Sequence, residues 1–494
     1  MNPLIQLKTT PPLLIILTLL SFALCPQVQA TPDPGSVDPF NTADGDHALF
    51  SNATGFANAA FGWYALFANT DGSNNTAVGT AALDLNNGNN NTAVGTAALL
   101  LNTGNDNTAV GVAALETNST GSNNMATGAF ALFSNTTGVA NTASGGRALF
   151  SNTGGNFNTA TGFFALHDNA SGAGNTAIGA SALLHNTTGG LNTATGGNAL
   201  LNNTVGHDNT AGGNNALASN TEGANNTAIG SGALGNNTEA VNNTAVGSNA
   251  LANNSGNTAT ANTAIGASSL FSNSLGIGNT AVGESALFAN TTGDHNVAVG
   301  DGALQSNTGG VNTALGNFAG ANQTTGSGNV YIGHLVPGVA GETNTCYISG
   351  IFAQTSAGGI PVLINSDHKL GTQVSSRRFK SEIKPMDKAS EAILALKPVT
   401  FHYNSDATNT PQYGLIAEEV VEVNPDLVVR DKEGKPYSVR YDQVNAMLLN
   451  EFLKEHRKVE QMQKQIDALT AGLQKVSAQL ELSKVAPQTA LNRQ

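Results

Sequence analysis

The sequence predicts a mainly β protein: a parallel β-roll or β-solenoid of about 17-residue coils, followed by a small α+β domain and a C-terminal coiled coil. Three observations predict it. A pentad of the form Asn-Thr-Ala-Val-Gly recurs through the middle of the chain at a nearly constant interval. Charge is almost absent from that repeat and returns abruptly after Lys369. A heptad pattern of apolar residues occupies the last fifty positions or so.

Composition sets the bounds. Of 494 residues only 11% are charged and 5% aromatic, and 57 are Gly. An ordinary globular core several hundred residues long needs more large apolar side chains than this, so the choice lies between a disordered tract and a repetitive β structure filled by small residues. The net charge of −13 gives nothing to neutralise phosphates, which excludes a nucleic-acid partner. Between Lys8 and Lys369 the only Lys or Arg is Arg147.

Residues 1–30 read as a signal peptide: Lys8 provides the positive flank, Leu13 to Leu24 the apolar stretch, and Val28-Gln29-Ala30 the cleavage site. A secreted, extracellular or cell-surface location follows, with no membrane span after signal removal. Cys25 leaves with the signal, so the mature chain keeps Cys346 and no intramolecular disulfide. Residues 31–40 form a linker.

Residues 41–333 form the repeat array. Pentads begin at Asn41, Asn58, Asn75, Asn91, Asn107, Asn124 and onward to Asn312 and Asn329, 17 residues apart except for three steps of 16 and one of 19, between Asn243 and Asn262. Ala-Leu usually follows three residues after the pentad Gly, as Ala82-Leu83 follows Gly79. So short a period is one coil of a solenoid. Alternating pentads suit short strands, and Asn, Gly and Thr clusters suit turns. At a strand spacing of ~4.8 Å the array is roughly 85 Å long. Identical Asn residues are expected to stack as hydrogen-bonded ladders, with Ala, Val and Leu filling a narrow interior. The regular Asn-x-Thr triplets are explained by the repeat itself.

Residues 334–374 read as a β stem, with strand-like runs at 346–352 and 360–364. Cys346 is expected as a small buried hydrophobe. After Ser375 the pattern changes again. A helix is expected within 383–396, a strand at 399–403, a strand-to-helix junction at 413–420, and a long final helix after Tyr441. In that helix Leu448, Phe452, Val459, Met462, Ile466, Leu469, Leu473, Val476 and Leu480 alternate at four- and three-residue steps, with Glu455 as the one polar member. They define a coiled coil over 456–485, followed by a tail at 486–494. Packing on the chain's own domain explains the first turns as far as Phe452; beyond Val459 the seam needs other copies of the chain.

The chemistry sits at the junction. In Ser375-Ser376-Arg377-Arg378-Phe379-Lys380 a hydroxyl nucleophile stands five residues from an amine. A serine needs a base to remove its proton, and a lysine serves as that base when burial or neighbouring cations lower its pKa. Arg377 and Arg378 are such cations.

Two resemblances extend this reading. The array resembles the head repeats of trimeric autotransporter adhesins through the Asn-x-Ala-x-Gly pentad, which implies left-handed parallel rolls assembled three at a time. Residues 375 to about 460 resemble the intramolecular chaperone domain of phage endosialidases and other tail fibres, the S74 peptidase family. The matching residues are Ser375, Arg378, Lys380, Ile383 and Gly414-Leu415-Ile416-Ala417-Glu418-Glu419. That resemblance implies an auto-processing chaperone domain over 375–455. It makes Ser375 the nucleophile, Lys380 the general base and Val374–Ser375 the scissile bond. The family usually carries Asp after the nucleophile, where this chain has Ser376.

The expected function is a secreted, homotrimeric, adhesin-like fibre whose chaperone domain assists trimer folding and then cleaves itself. This is autoproteolysis by a Ser-Lys endopeptidase acting only on its own chain. No cofactor and no metal are expected; the expected partners are the chain itself and a host-surface or glycan ligand. The alternatives are a polysaccharide-acting, tailspike-like enzyme and a purely structural fibre with an uncleaved chaperone domain. Polysaccharide cleavage needs paired carboxylates. The array offers only scattered acids, such as Asp44, Asp46, Asp71, Glu239 and Glu284, without a repeated constellation. A flat ice- or crystal-binding face of Thr rows is a third use of the array.

Overall fold

The computed structural model describes residues 40–354 and 356–484; the expected signal peptide, the linker before Phe40 and the tail lie outside them. The chain divides into two compact units, one ending at Gln354 and the other following it.

The first unit is a parallel β-solenoid. The three central residues of each pentad form a strand, as in Thr76–Val78, Thr92–Val94 and Thr108–Val110. Equivalent positions pair in register, so Ala77 lies opposite Ala93 and Ala93 opposite Ala109. One sheet of 19 such strands runs from Thr42–Asp44 to Cys346–Ile348. The array therefore extends one coil beyond the last Asn-initiated pentad.

Alternation along each strand decides what fills the interior. The pentad Ala points inward and is fully buried, as are the following Ala and Leu, for example Ala77, Ala82 and Leu83. The Thr and Val flanking that Ala must point outward. Val78 is 39% exposed and Ile178 44%. This corrects the expectation that the pentad Val fills the core. Cys346 is also exposed rather than buried, because it occupies the outward Thr position of its coil while Tyr347 takes the inward one.

One coil shows how tightly volume is conserved. Tyr331 stands at the inward Ala position and is fully buried. Gly320 replaces the usual Leu beneath it, and a Cβ there would come 2.7 Å from the Tyr331 ring. The ring fills the space that the missing Leu side chain vacates.

Two asparagine ladders close the coils. The Oδ1 of each pentad Asn accepts from the backbone N–H of its successor, as Asn158 does from Asn175 at 3.0 Å. Its amide donates to a turn carbonyl of its own coil, Asn175 to Gly189 at 2.9 Å. A second ladder begins at Asn52, where the amide of Asn69 donates to the Asn52 carbonyl oxygen. The 19-residue step preserves the first ladder, since Asn262 N–H still reaches Asn243 Oδ1 at 3.0 Å. The insertion is absorbed in the turn, where Asn254 reaches five residues ahead to Ala259. Asn243 Nδ2 is left without a partner there.

The coil corner depends on glycine. Gly179 has φ +136°, and a Cβ there would lie 2.5 Å from the Gly196 carbonyl oxygen in the next coil. Beyond it, left-handed residues recur, such as Ala81 at φ 55° and Leu83 at φ 53°. Such conformations cost about 1 kcal/mol each. They are held because Ala81 N–H bonds to the preceding coil at Trp63 O and Leu83 N–H to the following one at Ala98 O.

The second unit is small and mixed. It contains the hairpins Val362–Ile364 with Leu370–Thr372, Val399–Phe401 with Gln412–Gly414, and Val428–Arg430 with Pro436–Val439. Helix α1 spans Ala417–Val423 and helix α2 spans Tyr441–Lys484. The helix expected within 383–396 is a 3-10 helix, Asp387–Ala395, in a segment bracketed by Pro385 and Pro398. The core gathers Val420, Leu427, Val428, Val439 and Met447. Helix α2 packs on it through Val444 and Met447, while the seam residues Leu448 and Phe452 are exposed. The seam stays exposed to Leu480.

Candidate self-processing site

The segment 370–380 is built from short local structure. Strand Leu370–Thr372 ends the first hairpin; Gln373 N–H still reaches Pro361 O at 3.4 Å, and Val374 follows outside any strand or helix. Ser376 then opens a single 3-10 turn, Arg377–Phe379. The turn is closed by Phe379 N–H to Ser376 O at 3.0 Å and Lys380 N–H to Arg377 O at 3.1 Å. It folds the chain back, so that Lys380 Nζ donates to Ser375 Oγ at 3.2 Å.

Both members of this pair are exposed, as is Val374. For the hydroxyl to act as a nucleophile, its proton would have to pass the other way, to a neutral amine across the same distance. The two arginines differ in placement. The Arg378 guanidinium lies over the Phe379 ring at 4.7 Å, which fixes it on the turn. Arg377 is an exposed member of the same turn.

Contacts far apart in sequence support the segment. The side-chain amide of Gln373 donates to the Asp442 carboxylate in the first turn of α2. The start of α2 is tied to the domain in turn: Tyr441 Oη accepts from Leu415 N–H at 2.9 Å, and Arg440 N–H donates to Leu427 O at 2.8 Å. Further along α2, the buried Ser390 meets Glu451 and accepts from Asn450 at 2.7 Å. Lys454 pairs with Glu451 at 2.7 Å. That contact raises the Lys454 pKa and lowers that of Glu451. This second serine–lysine neighbourhood is therefore a charged clamp without a free base. Sequence reasoning missed these partners; apart from the Lys454–Glu451 pair within α2, they are separated by 13 to 69 residues and carry no periodic signal.

Residues 375–429 match the model of the Peptidase S74 family, described as the chaperone of endosialidase. The S74 match begins on Ser375 itself. It runs through the hairpin, α1 and the Leu427–Val428 part of the core, and it follows a long parallel β-solenoid. Comparisons with curated proteins and with solved structures return no match.

In the array, Glu239 and Glu284 belong to coils three steps apart. At ~4.8 Å per coil that is roughly 14 Å along the axis, beyond the carboxyl separations glycoside hydrolysis uses. Asp168 instead accepts from two histidines, His167 at 2.6 Å and His185 at 2.7 Å, which hold its carboxyl below the usual range.

Proposed function

We propose that the chain is an exported, trimeric, adhesin-like fibre whose S74 domain assists assembly and then severs itself at Val374–Ser375. The observation that carries this reading is the 3.2 Å approach of Lys380 Nζ to Ser375 Oγ at the first residue of the family match.

The proposed reaction is intramolecular. Neutral Lys380 takes the Ser375 hydroxyl proton as Oγ attacks the Val374 carbonyl carbon. The C–N bond breaks, the nitrogen receives the proton from Lys380, and an ester joins Val374 to Ser375 Oγ. One water then hydrolyses the ester, leaving a Val374 carboxylate and a free Ser375 amine and hydroxyl. No substrate pocket is needed, only orientation of one carbonyl. Burial favours the neutral amine, so assembly that covers these exposed residues promotes cleavage.

Self-association is supported by two exposed apolar surfaces. One is the α2 seam, with Leu469 at 68% and Leu473 at 70% exposure. The other is the file of outward Val and Ile residues along the solenoid sheet. The file is apolar in two stretches, Phe61 to Val110 and Ile229 to Ile348, separated by Thr127, Ser144 and Thr161 among others, and exposed apolar stretches of this kind mark interaction sites. Joining three C-termini raises their effective concentration and sets a common register before the slow non-local strand pairing of the array. The released array then serves adhesion to a surface or glycan ligand.

The test is the mass of the mature product. Wild type should yield a break at Val374–Ser375, and Ser375→Ala should remain whole. A wild-type chain that stays full length leaves the uncleaved structural fibre as the correct reading.

A further inference from the structure

We propose that Gln373 and Asp442 form a clasp that positions the scissile bond, so that the final helix sets the geometry of self-cleavage. This rests on the self-cleavage reading above.

The clasp lies on the acyl side of the bond. Gln373 is two residues before Ser375, and its carboxamide donates to the Asp442 carboxylate 69 residues later. A neutral donor on a charged acceptor is among the stronger hydrogen bonds. Asp442 stands in the first turn of α2, where the helix dipole favours a carboxylate and restrains it. That end of the helix is anchored through Tyr441 to Leu415 and through Arg440 to Leu427. Gln373 is thereby tied to the wall of the domain and not merely to its own hairpin.

On the other side of the bond, Ser375 is held by Lys380. Val374 is the single residue between the two restraints. The carbonyl that Ser375 attacks belongs to Val374, so its direction is governed by clasp and dyad together. Attack requires a carbonyl aligned within a fraction of an ångström, and misplacement by about 1 Å costs on the order of a hundredfold in rate. Gln373 and Asp442 touch no reacting atom; they are positioning residues. Because α2 also carries the exposed apolar seam, ordering the helices by assembly steadies Asp442 and, through it, the bond to be cut.

The experiment follows the cleavage rate of the full chain on denaturing gels, with oligomeric mass read in parallel by light scattering. Gln373→Glu, which places a second carboxylate against Asp442, and Asp442→Ala should each slow cleavage by about tenfold or more at unchanged oligomeric mass. Gln373→Lys, which still donates to the carboxylate, should stay within about threefold of wild type. A merely structural role for Gln373 would not separate Lys from Glu at this exposed position. Wild-type rates in both Gln373→Glu and Asp442→Ala overturn the clasp alone. A wild-type chain that never cleaves overturns the self-cleavage reading and the clasp with it.

Discussion

Lys380 Nζ reaches Ser375 Oγ at 3.2 Å because one 3-10 turn, Arg377–Phe379, folds the intervening residues back on themselves. The contact is a local product of six residues. Lys380→Arg keeps the charge but removes the usable base. It should slow cleavage by about a hundredfold or more, measured as the time course of fragment appearance.

The asparagine ladders should dominate the stability of the array. Asn175→Ala strands the buried N–H of Asn192, which the side chain now satisfies, while the Gly189 carbonyl keeps its second donor, the Asn186 amide. At about 1–3 kcal/mol for one orphaned group, a loss of about 2 kcal/mol is expected in denaturant unfolding of the full chain.

The corner glycines admit no side chain. Gly179→Ala combines a φ of +136° with a Cβ at 2.5 Å from a backbone oxygen that cannot swing away. A cost of about 3 kcal/mol or more is expected by the same unfolding measurement. Gly154→Ala, whose nearest atom is a side-chain oxygen at 3.5 Å, should be tolerated within about 1 kcal/mol.

Asp84 gives the array a pH dependence. Burial pushes its carboxyl from 3.8 up to about 6, and its Oδ1 has no partner. The folded state therefore binds this proton more tightly than the unfolded state. Its favourable contribution is complete below pH 3.8 and is lost as pH rises through about 6. Asp84→Asn should flatten the thermal-unfolding profile across that window and raise stability at neutral pH by about 1 kcal/mol, a value discounted for partial exposure.

The seam of α2 offers the most direct test of association. Leu469→Asp places a charge on the exposed apolar stripe without touching the domain core. It should lower the oligomeric mass measured by light scattering at micromolar concentration, with the helical signal of the small domain retained.

The repeat was legible because strand, turn and core share one period: the pentad, the Ala-Leu pair and the turn Gly each mark a fixed position in the coil. Which face the pentad Val takes was decided by alternation about the inward Ala, and the expectation had counted all apolar residues as interior. Alternation would also have placed Cys346 outside, had its coil been recognised without the leading Asn. The exchange of Leu for Gly320 opposite Tyr331 is visible in the sequence only once the stacking register is known. At the junction segment, the Ser375–Lys380 spacing was readable because a single turn spans it. Gln373 and Asp442 were not, since 69 residues and several elements separate them and neither belongs to a periodic pattern.

The ladders make this solenoid a ruler. Each coil receives hydrogen bonds from one neighbour and offers an equivalent set to the next, through Asn, Gly and Ala at fixed positions. A whole repeat can be gained or lost without redesigning any contact, and even the 19-residue step leaves the Asn register intact. Special fittings appear where the pattern is broken, as with Asn254 reaching to Ala259 at the long step and Tyr331 over Gly320 near the end. The length of the array is thus set by a count, ~4.8 Å at a time, and can change by whole repeats while the domain that follows stays the same.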